Sequence, residues 1–107
     1  MVDNCIFCKI IAKQIPATIV FEDEQIIAFK DIHPKAKVHL LIVPKKHIAT
    51  FKEISANDGD LLGHMLIKTK EIAEEHHLND YKLSVNVGQH GGQEVFHLHL
   101  HLMSAPN

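Results

Sequence analysis

Residues 95–103 read Val95-Phe96-His97-Leu98-His99-Leu100-His101-Leu102-Met103, an alternation of apolar side chains with three histidines. Successive side chains of a β-strand point to opposite faces, so the alternation predicts a strand with His97, His99 and His101 in one row. A helix would scatter the three imidazoles around its axis. The opposite face of the strand carries the side chains that we expect in the core, namely Phe96, Leu98, Leu100 and Leu102.

A row of three imidazoles has three interpretations. Alternate residues of a strand lie about 6.5 Å apart, which is long for three nitrogens that must converge on one metal ion. A solvated polar face would mix several residue types instead of repeating His. Phosphate chemistry fits best, because imidazole is a good nucleophile at neutral pH and a neighbouring imidazole can act as an acid or donor. Gly91-Gly92-Gln93-Glu94-Val95 leads directly into the row, and its backbone N–H groups could face phosphate oxygens.

The other predicted strands all precede this motif in the chain. Val38 to Val43 is an almost wholly apolar run and predicts a central strand. Thr18 to Phe21 and Gln25 to Lys30 predict a hairpin, with acidic residues in its turn. Lys82 to Val87 alternates as a strand, and Gly88 to Gly92 follows as a loop. Short connections between neighbouring strands favour an antiparallel sheet in an α+β fold.

Two helices complete the predicted fold. Asp3 is a candidate cap for a short helix with one apolar face (Ile6, Phe7, Ile10, Ile11), which Pro16 would end. Ser55 and Asp58 resemble a capping box before a long helix. The apolar face of the sheet is expected to pack on one stripe of that helix, formed by Leu61, Leu62, Met65, Leu66, Ile72 and Ala73.

Composition limits the class of protein. The 107 residues suit a single domain, residues 1–107, with 46% hydrophobic and 22% charged residues and a formal net charge of −2. That charge does not suggest a nucleic-acid partner. The N-terminus, Met1-Val2-Asp3-Asn4, has no signal-peptide pattern, and no apolar run reaches the ~20 residues of a membrane helix, so we expect a cytoplasmic protein without a membrane partner.

The pair Cys5-x-x-Cys8 has three interpretations of its own. A disulfide is disfavoured in a cytoplasmic protein, and a redox pair would need a βαβ context that is not visible. Two buried thiols without a special role are possible. A metal site would need two further ligands, and the ten histidines of the chain offer them.

The motif His97-Leu98-His99-Leu100-His101-Leu102 resembles the His-φ-His-φ-His-φ signature of the histidine-triad (HIT) superfamily, in which φ is apolar. The resemblance extends over nearly the whole chain, through blocks similar to the Hint branch, the purine nucleoside phosphoramidases. These blocks are Cys5-Ile6-Phe7-Cys8-Lys9-Ile10-Ile11, Ile15-Pro16-Ala17, Phe29-Lys30-Asp31-Ile32, Val43-Pro44-Lys45-Lys46-His47, Leu61-Leu62-Gly63-His64 and Gly91-Gly92-Gln93.

The resemblance implies a HIT-like fold, with a five-stranded antiparallel sheet and two helices. It implies a homodimer whose sheets join into one continuous ten-stranded sheet. It also implies that a purine nucleoside monophosphate binds at the triad. The typical reaction is hydrolysis of AMP–N type phosphoramidates through a covalent nucleotidyl-histidine.

Residue roles follow from the resemblance by position. His99 matches the nucleophile, and His101 matches the residue that binds phosphate and assists the leaving group. His97 and His39 match residues that orient the triad. Asp31 matches the carboxylate that accepts both ribose hydroxyls. The remaining matches are the phosphate contacts Asn86, Gln93 and the backbone around Glu94 and Val95, and the apolar base pocket of Ile6, Phe7, Ile10, Phe29 and Ile32.

Some relatives hold a structural zinc ion through a Cys-x-x-Cys and two histidines, which match Cys5, Cys8, His47 and His97 here. The chain also departs from the family pattern. Glu94 stands where some animal relatives carry a Ser that donates to the leaving group, which an ionised carboxylate cannot do. The chain lacks the Gly-Gly-Arg that often follows the triad.

Two other functions stay open at this point. One is a dinucleoside polyphosphate hydrolase or nucleotidyl transferase. The other is a purine-nucleotide-binding regulatory module with residual catalysis. His101 favours the phosphoramidase, because the Fhit-type branch commonly has Gln in place of the last His of the triad.

Overall fold

A five-stranded antiparallel sheet forms the centre of the protein, as predicted. The computed structural model describes residues 4–106, so the proposed cap Asp3 lies outside the described residues. The strands are β1 (Ile19–Glu22), β2 (Ile26–Lys30), β3 (His39–Pro44), β4 (Tyr81–Ser84) and β5 (Leu100–Ser104). Their order is β1-β2-β3-β5-β4, which puts β3 at the centre and β4 at one edge.

Two helices cover the two faces of the sheet. The short helix α1 is Ile6–Ile11 and the long helix α2 is Gly59–Glu75. Single turns of 3-10 helix lie at Phe51–Glu53, Ala56–Asp58 and Gln89–Gly91. No helix within residues 4–106 is both long enough and apolar enough to span a membrane.

The sheet separates two apolar clusters. One lies under α2 and contains Leu40, Ile42 and Leu102 from the sheet with Met65 and Ile72 from the helix. The other lies under α1 and contains Ile27, Phe29, Leu41 and Val43 with Phe7, Cys8 and Ile10. Because β3 is covered on both faces, its side chains are apolar almost without alternation, which the sequence shows as a continuous run.

The last strand is shorter than the predicted Val95–Met103, because β5 begins only at Leu100. Its ladder with β3 ends at the pair Ile42–Leu100. Beyond that pair, β3 reaches Pro44, which has no N–H to donate, and the Pro44 carbonyl accepts from His97 Nε2 at 2.7 Å. The N–H of Leu98 donates instead to the Ile48 carbonyl at 2.6 Å. His97 and His99 therefore precede the strand, and only His101 belongs to it.

Four further details of the prediction were wrong. Phe96 is 46% exposed and does not fill the core, whereas Leu98, Leu100 and Leu102 are buried. Strand β4 ends at Ser84 and not at Val87, because Ser84 pairs with His101 near the start of β5. On α2, Leu66 is 54% exposed. On α1, Ile6 is 46% exposed, although Phe7 and Ile10 are buried.

The ends of both helices have local causes. Cys5 caps α1, since its Sγ accepts from the Cys8 N–H at 3.3 Å. Helix α1 stops at Ile11, well before Pro16, because Lys13 adopts a left-handed conformation (φ 63°) and the Gln14 N–H returns to the Lys9 carbonyl. The predicted capping box of Ser55 and Asp58 is present, and it caps the 3-10 turn that leads into α2.

Candidate active site

The second histidine of the triad is held with one ring nitrogen free. His99 is buried at 8% exposure, and its Nδ1 lies 2.7 Å from the His97 carbonyl oxygen. A carbonyl can only accept, so Nδ1 carries the hydrogen and donates it. The Nε2 atom of a neutral His99 then holds a lone pair. Burial lowers the pKa of His99 below its ordinary value, which keeps that lone pair unprotonated at neutral pH.

A chain of hydrogen bonds fixes the tautomer of the third histidine. The backbone N–H of Lys35 donates to His39 Nδ1 at 3.1 Å, so His39 carries its hydrogen on Nε2. That Nε2 lies 2.9 Å from His101 Nδ1, to which it donates. His101 therefore carries its own hydrogen on Nε2. This nitrogen is buried, and no residue in the described part of the chain is its hydrogen-bond partner.

The neighbouring rings of His99 and His101 have complementary roles, one as an electron-pair donor and the other as a hydrogen-bond donor. The centroids of the His99 and His101 rings are 5.0 Å apart. Nε2 of His99 offers an electron pair, and Nε2–H of His101 offers a donor without a partner. A nucleophile next to an unused donor suits attack on a phosphoryl group whose oxygens gain charge.

Acidification is expected to destabilise the fold through His101. Burial lowers the pKa of His101 from 6.5 to about 4, and the neighbouring His99 and His39 add to the effect. Between those values the unfolded chain binds a proton that the folded chain does not, so stability falls as the pH falls. Allowing for partial exposure, we expect His101 to account for about 1–2 kcal/mol of unfolding free energy lost between pH 7 and pH 5.

Urea unfolding at the two pH values measures this loss. The variant His101→Gln cannot titrate and should lose less stability than the wild type on acidification. The histidines outside this group affect both proteins alike, so the difference between the two losses measures His101 together with its coupling to His39 and His99. Equal losses in the two proteins would contradict the expectation.

A carboxylate and an apolar floor lie beside this histidine chain. Asp31 Oδ1 accepts from the His33 N–H at 2.9 Å, and Oδ2 lies 3.4 Å from His39 Nε2. Phe7 and Phe29 are buried and pack edge to face, with ring centroids 5.3 Å apart. The other predicted base-pocket residues differ in exposure, since Ile10 is buried whereas Ile6 is 46% and Ile32 is 81% exposed.

The loop before the triad is closed by a buried amide. Gln93 Nε2 donates to the carbonyls of Ala49 and Val95 at 2.7 and 3.0 Å, and Gln93 Oε1 accepts from the Gly88 N–H at 3.0 Å. The side chain of Gln93 is therefore committed to the backbone of the loop. Gly92 has a φ of 91°, a backbone conformation that residues other than Gly rarely adopt.

Asn86 and Glu94 flank the same loop. Asn86 Nδ2 donates to the Gly92 carbonyl over a long 3.5 Å contact and is partly exposed. Glu94 is exposed, and Val95 packs against the cluster under α1. The structure thus groups Asn86, Glu94 and Val95 around a loop that Gln93 holds from the inside.

Four predicted ligands come together on the other side of His97. One ligand atom from each of Cys5, Cys8, His47 and His97 lies within 4.8 Å of all the others. The measured contacts are Cys5 Sγ–His97 Nδ1 3.4 Å, Cys8 Sγ–His47 Nδ1 3.4 Å, Cys8 Sγ–His97 Nδ1 3.6 Å and His47 Nδ1–His97 Nδ1 3.1 Å. This cluster could hold a metal ion.

The donor set fits a tetrahedral ion in both distance and protonation. Zinc bonds of about 2.3 Å to sulfur and 2.0–2.1 Å to nitrogen separate the ligand atoms of a tetrahedron by about 3.3–3.8 Å. His97 Nε2 donates to the Pro44 carbonyl at 2.7 Å, which leaves the Nδ1 lone pair directed at the two sulfurs. Burial raises the pKa of the Cys5 thiol, so a nearby cation would be needed for Cys5 to persist as a thiolate.

A second group of ligand-type residues, Asp31, His39 and His101, is equally compact but chemically different. The Lys35 N–H occupies His39 Nδ1, so the hydrogen of a neutral His39 sits on Nε2, the atom that a metal would need. Hydrogen bonding therefore accounts for this group without an ion. The role of the Lys35 backbone could not be found from the sequence, because a main-chain N–H leaves no mark on the residue type.

Comparison with known proteins agrees with this geometry. A family model described as "Scavenger mRNA decapping enzyme C-term binding" matches residues 4–107. The chain is similar to the protein HitA of Neisseria gonorrhoeae, with 50% identity over 97% of this chain and 98% of the relative. It is 42% identical to a purine nucleoside phosphoramidase of Escherichia coli K12, over 96% of this chain and 88% of that protein.

Solved structures lead to the same family. A HIT family hydrolase from Legionella pneumophila superposes with a TM-score of 0.94 and 51% identity, covering 97% of this chain and 95% of that one. A HIT family hydrolase from Clostridium thermocellum gives a TM-score of 0.96 and 44% identity, with 100% and 95% coverage. The chain therefore belongs to the histidine-triad (HIT) family and is one of its hydrolases.

Proposed function

We propose that this hydrolase cleaves purine nucleoside phosphoramidates of the AMP–N type through a nucleotidyl intermediate on His99. The observation that carries the proposal is the pair of ring nitrogens described above, a fixed lone pair on His99 Nε2 next to an unpartnered N–H on His101. The phosphoramidase from Escherichia coli, similar over nearly the whole chain, supports the substrate class.

The proposed reaction has two displacements at phosphorus. First, His99 Nε2 bonds to the α-phosphorus while the P–N bond breaks, and the departing nitrogen takes up one proton and leaves as an amine. Water then forms a P–O bond while the Nε2–P bond breaks, which releases the nucleoside monophosphate and one proton. The hydrogen bond from His99 Nδ1 to the His97 carbonyl stabilises the positive charge that the ring carries in between.

The other residues would bind and orient the nucleotide. His101 Nε2–H donates to the phosphate region, and His39 holds the tautomer of His101. The phosphate lies against Asn86 and the backbone N–H groups of Glu94 and Val95, on the loop that Gln93 braces. Asp31 Oδ2 accepts from the ribose, while the apolar side chains hold the base, namely Ile6, Phe7, Ile10, Phe29 and Ile32.

A trapping experiment tests this proposal. The protein is incubated with an adenosine phosphoramidate, quenched in base and weighed by mass spectrometry. We expect AMP bound to the intact chain and located on His99 after digestion. A dinucleoside polyphosphate should be a poorer substrate in a parallel assay. Turnover of the phosphoramidate without any adduct on His99 in single-turnover samples would contradict the covalent mechanism.

We also propose that zinc occupies the four-ligand cluster of Cys5, Cys8, His47 and His97. Two thiolates and two neutral imidazoles form a closed tetrahedral set, which is typical of structural zinc. A zinc ion there would neutralise the buried thiolates and cross-link α1 to the segment that carries the triad. The ion is assigned no step in the chemistry, because all four coordination positions are filled by protein.

We infer that two copies of the chain pair through β4 to form a ten-stranded sheet. Strand β4 is an edge, and Leu83 on it is 42% exposed. Leu66 and Ile67 on helix α2 are also exposed, at 54% and 60%, and are further apolar surface that a partner could bury. The opposite edge, β1, carries the ion pairs of Glu22 with Lys13 and Lys45.

A single charge on β4 should separate the dimer. The variant Leu83→Lys places a solvated cation on the edge, where a partner strand would bury it. We expect the molar mass from light scattering to fall from that of two chains to that of one. As a control, Phe51→Lys changes an apolar residue elsewhere that is even more exposed, at 54%, and this variant should remain dimeric. A wild-type protein that runs as one chain at assay concentration would overturn the inference.

A further inference from the structure

Helix α1 connects the four-ligand cluster to the proposed nucleophile, His99, through one aromatic side chain. Cys5 caps the N-terminus of this helix and Cys8 lies in its first turn, with Phe7 between them in the chain. The ring of Phe7 meets the His99 ring edge to face, with centroids 5.1 Å apart at an interplanar angle of 84°. Phe7 also contacts the His97 ring at 6.0 Å. Phe7 thus lies between two candidate metal ligands in the chain and packs against the His99 imidazole.

His97 provides a second connection between the same two places. Its Nδ1 faces both sulfurs, and its carbonyl accepts the hydrogen bond that fixes the tautomer of His99. The side chain of His97 is fully buried. The ladder with β3 has already ended here, so the backbone at His97 is held by the Leu98 N–H bond to the Ile48 carbonyl together with the side-chain contacts of His97.

We propose that the four-ligand cluster positions the nucleophile, with Phe7 as a positioning residue that acts on His99. This inference rests on the proposed function, in which His99 attacks phosphorus. The cluster fixes Phe7 through Cys5 and Cys8, and it fixes the carbonyl of His97. The Phe7 ring then limits rotation of the His99 imidazole, while the carbonyl holds Nδ1–H, so Nε2 keeps one direction.

A positioning role differs measurably from the base-pocket role that the family resemblance implies for Phe7. A residue that only stacks on the base contributes to nucleotide affinity. A residue that orients His99 contributes to the rate of the phosphorus–nitrogen bond-forming step and to the tautomer of His99 in the free protein. The change Phe7→Leu keeps an apolar side chain in the cluster while it removes the aromatic edge.

The decisive experiment compares Phe7→Leu with the wild type in the metal-loaded protein. Nitrogen NMR of the histidine rings should show a single Nδ1–H tautomer for His99 in the wild type and a mixture in the variant. Single-turnover formation of the nucleotidyl protein should slow by about 10–100-fold, as for other residues that orient a reacting group. Because Leu keeps an apolar side chain toward the base, the dissociation constant for AMP should rise by a clearly smaller factor than the bond-forming rate falls. The matched control Phe21→Leu, on the α2 side of the sheet, should behave as the wild type.

The opposite pattern would overturn the inference. If the affinity for AMP falls while the tautomer and the bond-forming rate are unchanged, Phe7 serves the base and not the nucleophile. The NMR measurement needs no substrate, so it still decides the positioning role if the phosphoramidate proves not to be turned over. In that case the proposed function fails on the trapping experiment alone.

Removal of the metal tests whether the four-ligand cluster fixes the tautomer of His99. A chelator is titrated into wild-type protein well below its melting temperature, while methyl signals of Ala73 and Leu102 report on the core under α2. We expect the single tautomer of His99 to be lost before those core signals change. If the His99 signal survives until the core is lost, or both disappear together, the cluster supports the fold as a whole and does not position the nucleophile.

Discussion

Replacing His99 with Ala should abolish the nucleotidyl adduct and lower kcat/KM for an adenosine phosphoramidate by about 10⁴-fold or more. The expected loss is large because neither of the other two triad histidines presents an equivalent lone pair. Nδ1 of His97 faces the sulfurs of the four-ligand cluster, and its Nε2 donates to the Pro44 carbonyl. The lone pair of His101 is on Nδ1, which accepts a hydrogen bond from His39. Nucleotide affinity should change little, since Asp31 and the phosphate loop remain.

His77→Asn serves as the control for a generic loss of histidine. His77 lies beyond the end of α2 with a φ of 58°, which Asn tolerates better than most residues. Its activity should equal that of the wild type. If His99→Ala turned over within tenfold of the wild type, direct attack by water on phosphorus would explain the reaction better than a covalent intermediate. If His99→Ala lost turnover but kept its cellular role, the protein would act as a purine-nucleotide-binding regulatory module.

Replacing Cys8 with Ser should cause a large loss of stability. The hydroxyl is a poor zinc ligand, and the variant leaves two histidine nitrogens and one thiol facing each other without an ion. We expect the unfolding free energy to fall by about 3–4 kcal/mol and the melting temperature by about 15–25 °C. Calorimetry measures the change, and elemental analysis should give one zinc per wild-type chain and none in the variant.

Chelation provides the matched comparison. The chelated wild type should melt near the temperature of Cys8→Ser, and the chelator should have no further effect on the variant, because both have lost the same ion. Adding zinc back should restore only the wild type. Native protein that contains no zinc and melts at the same temperature with and without chelator would show that Cys5 and Cys8 are ordinary buried thiols.

The outer strands and the helices were predictable because their residues repeat a period, and the central strand β3 was predictable from its continuous apolar run. The alternation around His101 and the stripe of Met65, Ile72 and Ala73 both appear in the structure as expected. The exact ends were not predictable. Whether Val95 to His99 belongs to β5 depends on Pro44 in another strand, whose missing N–H ends the ladder.

The residues of the candidate site were predictable as types, and their contacts were not. The histidine row and Cys5-x-x-Cys8 are visible in the sequence, and the family resemblance added His39 and Asp31. The tautomers depend on two main-chain groups, the Lys35 N–H and the His97 carbonyl, which every residue type carries. The side chain of Gln93 is turned inward onto the loop, a direction that its position beside two glycines does not indicate.

The two-sided sheet has a consequence for how this protein can change. The apolar cluster under α2, which includes Ile42 and Met65, contains neither the catalytic histidines nor the cysteines. Mutations on that side should add to those on the α1 side nearly independently, because the sheet separates them and they share few partners. Thermal tolerance and catalysis are therefore separately adjustable traits. A laboratory selection for heat resistance can therefore accumulate mutations in the cluster under α2 without changing the rate of turnover.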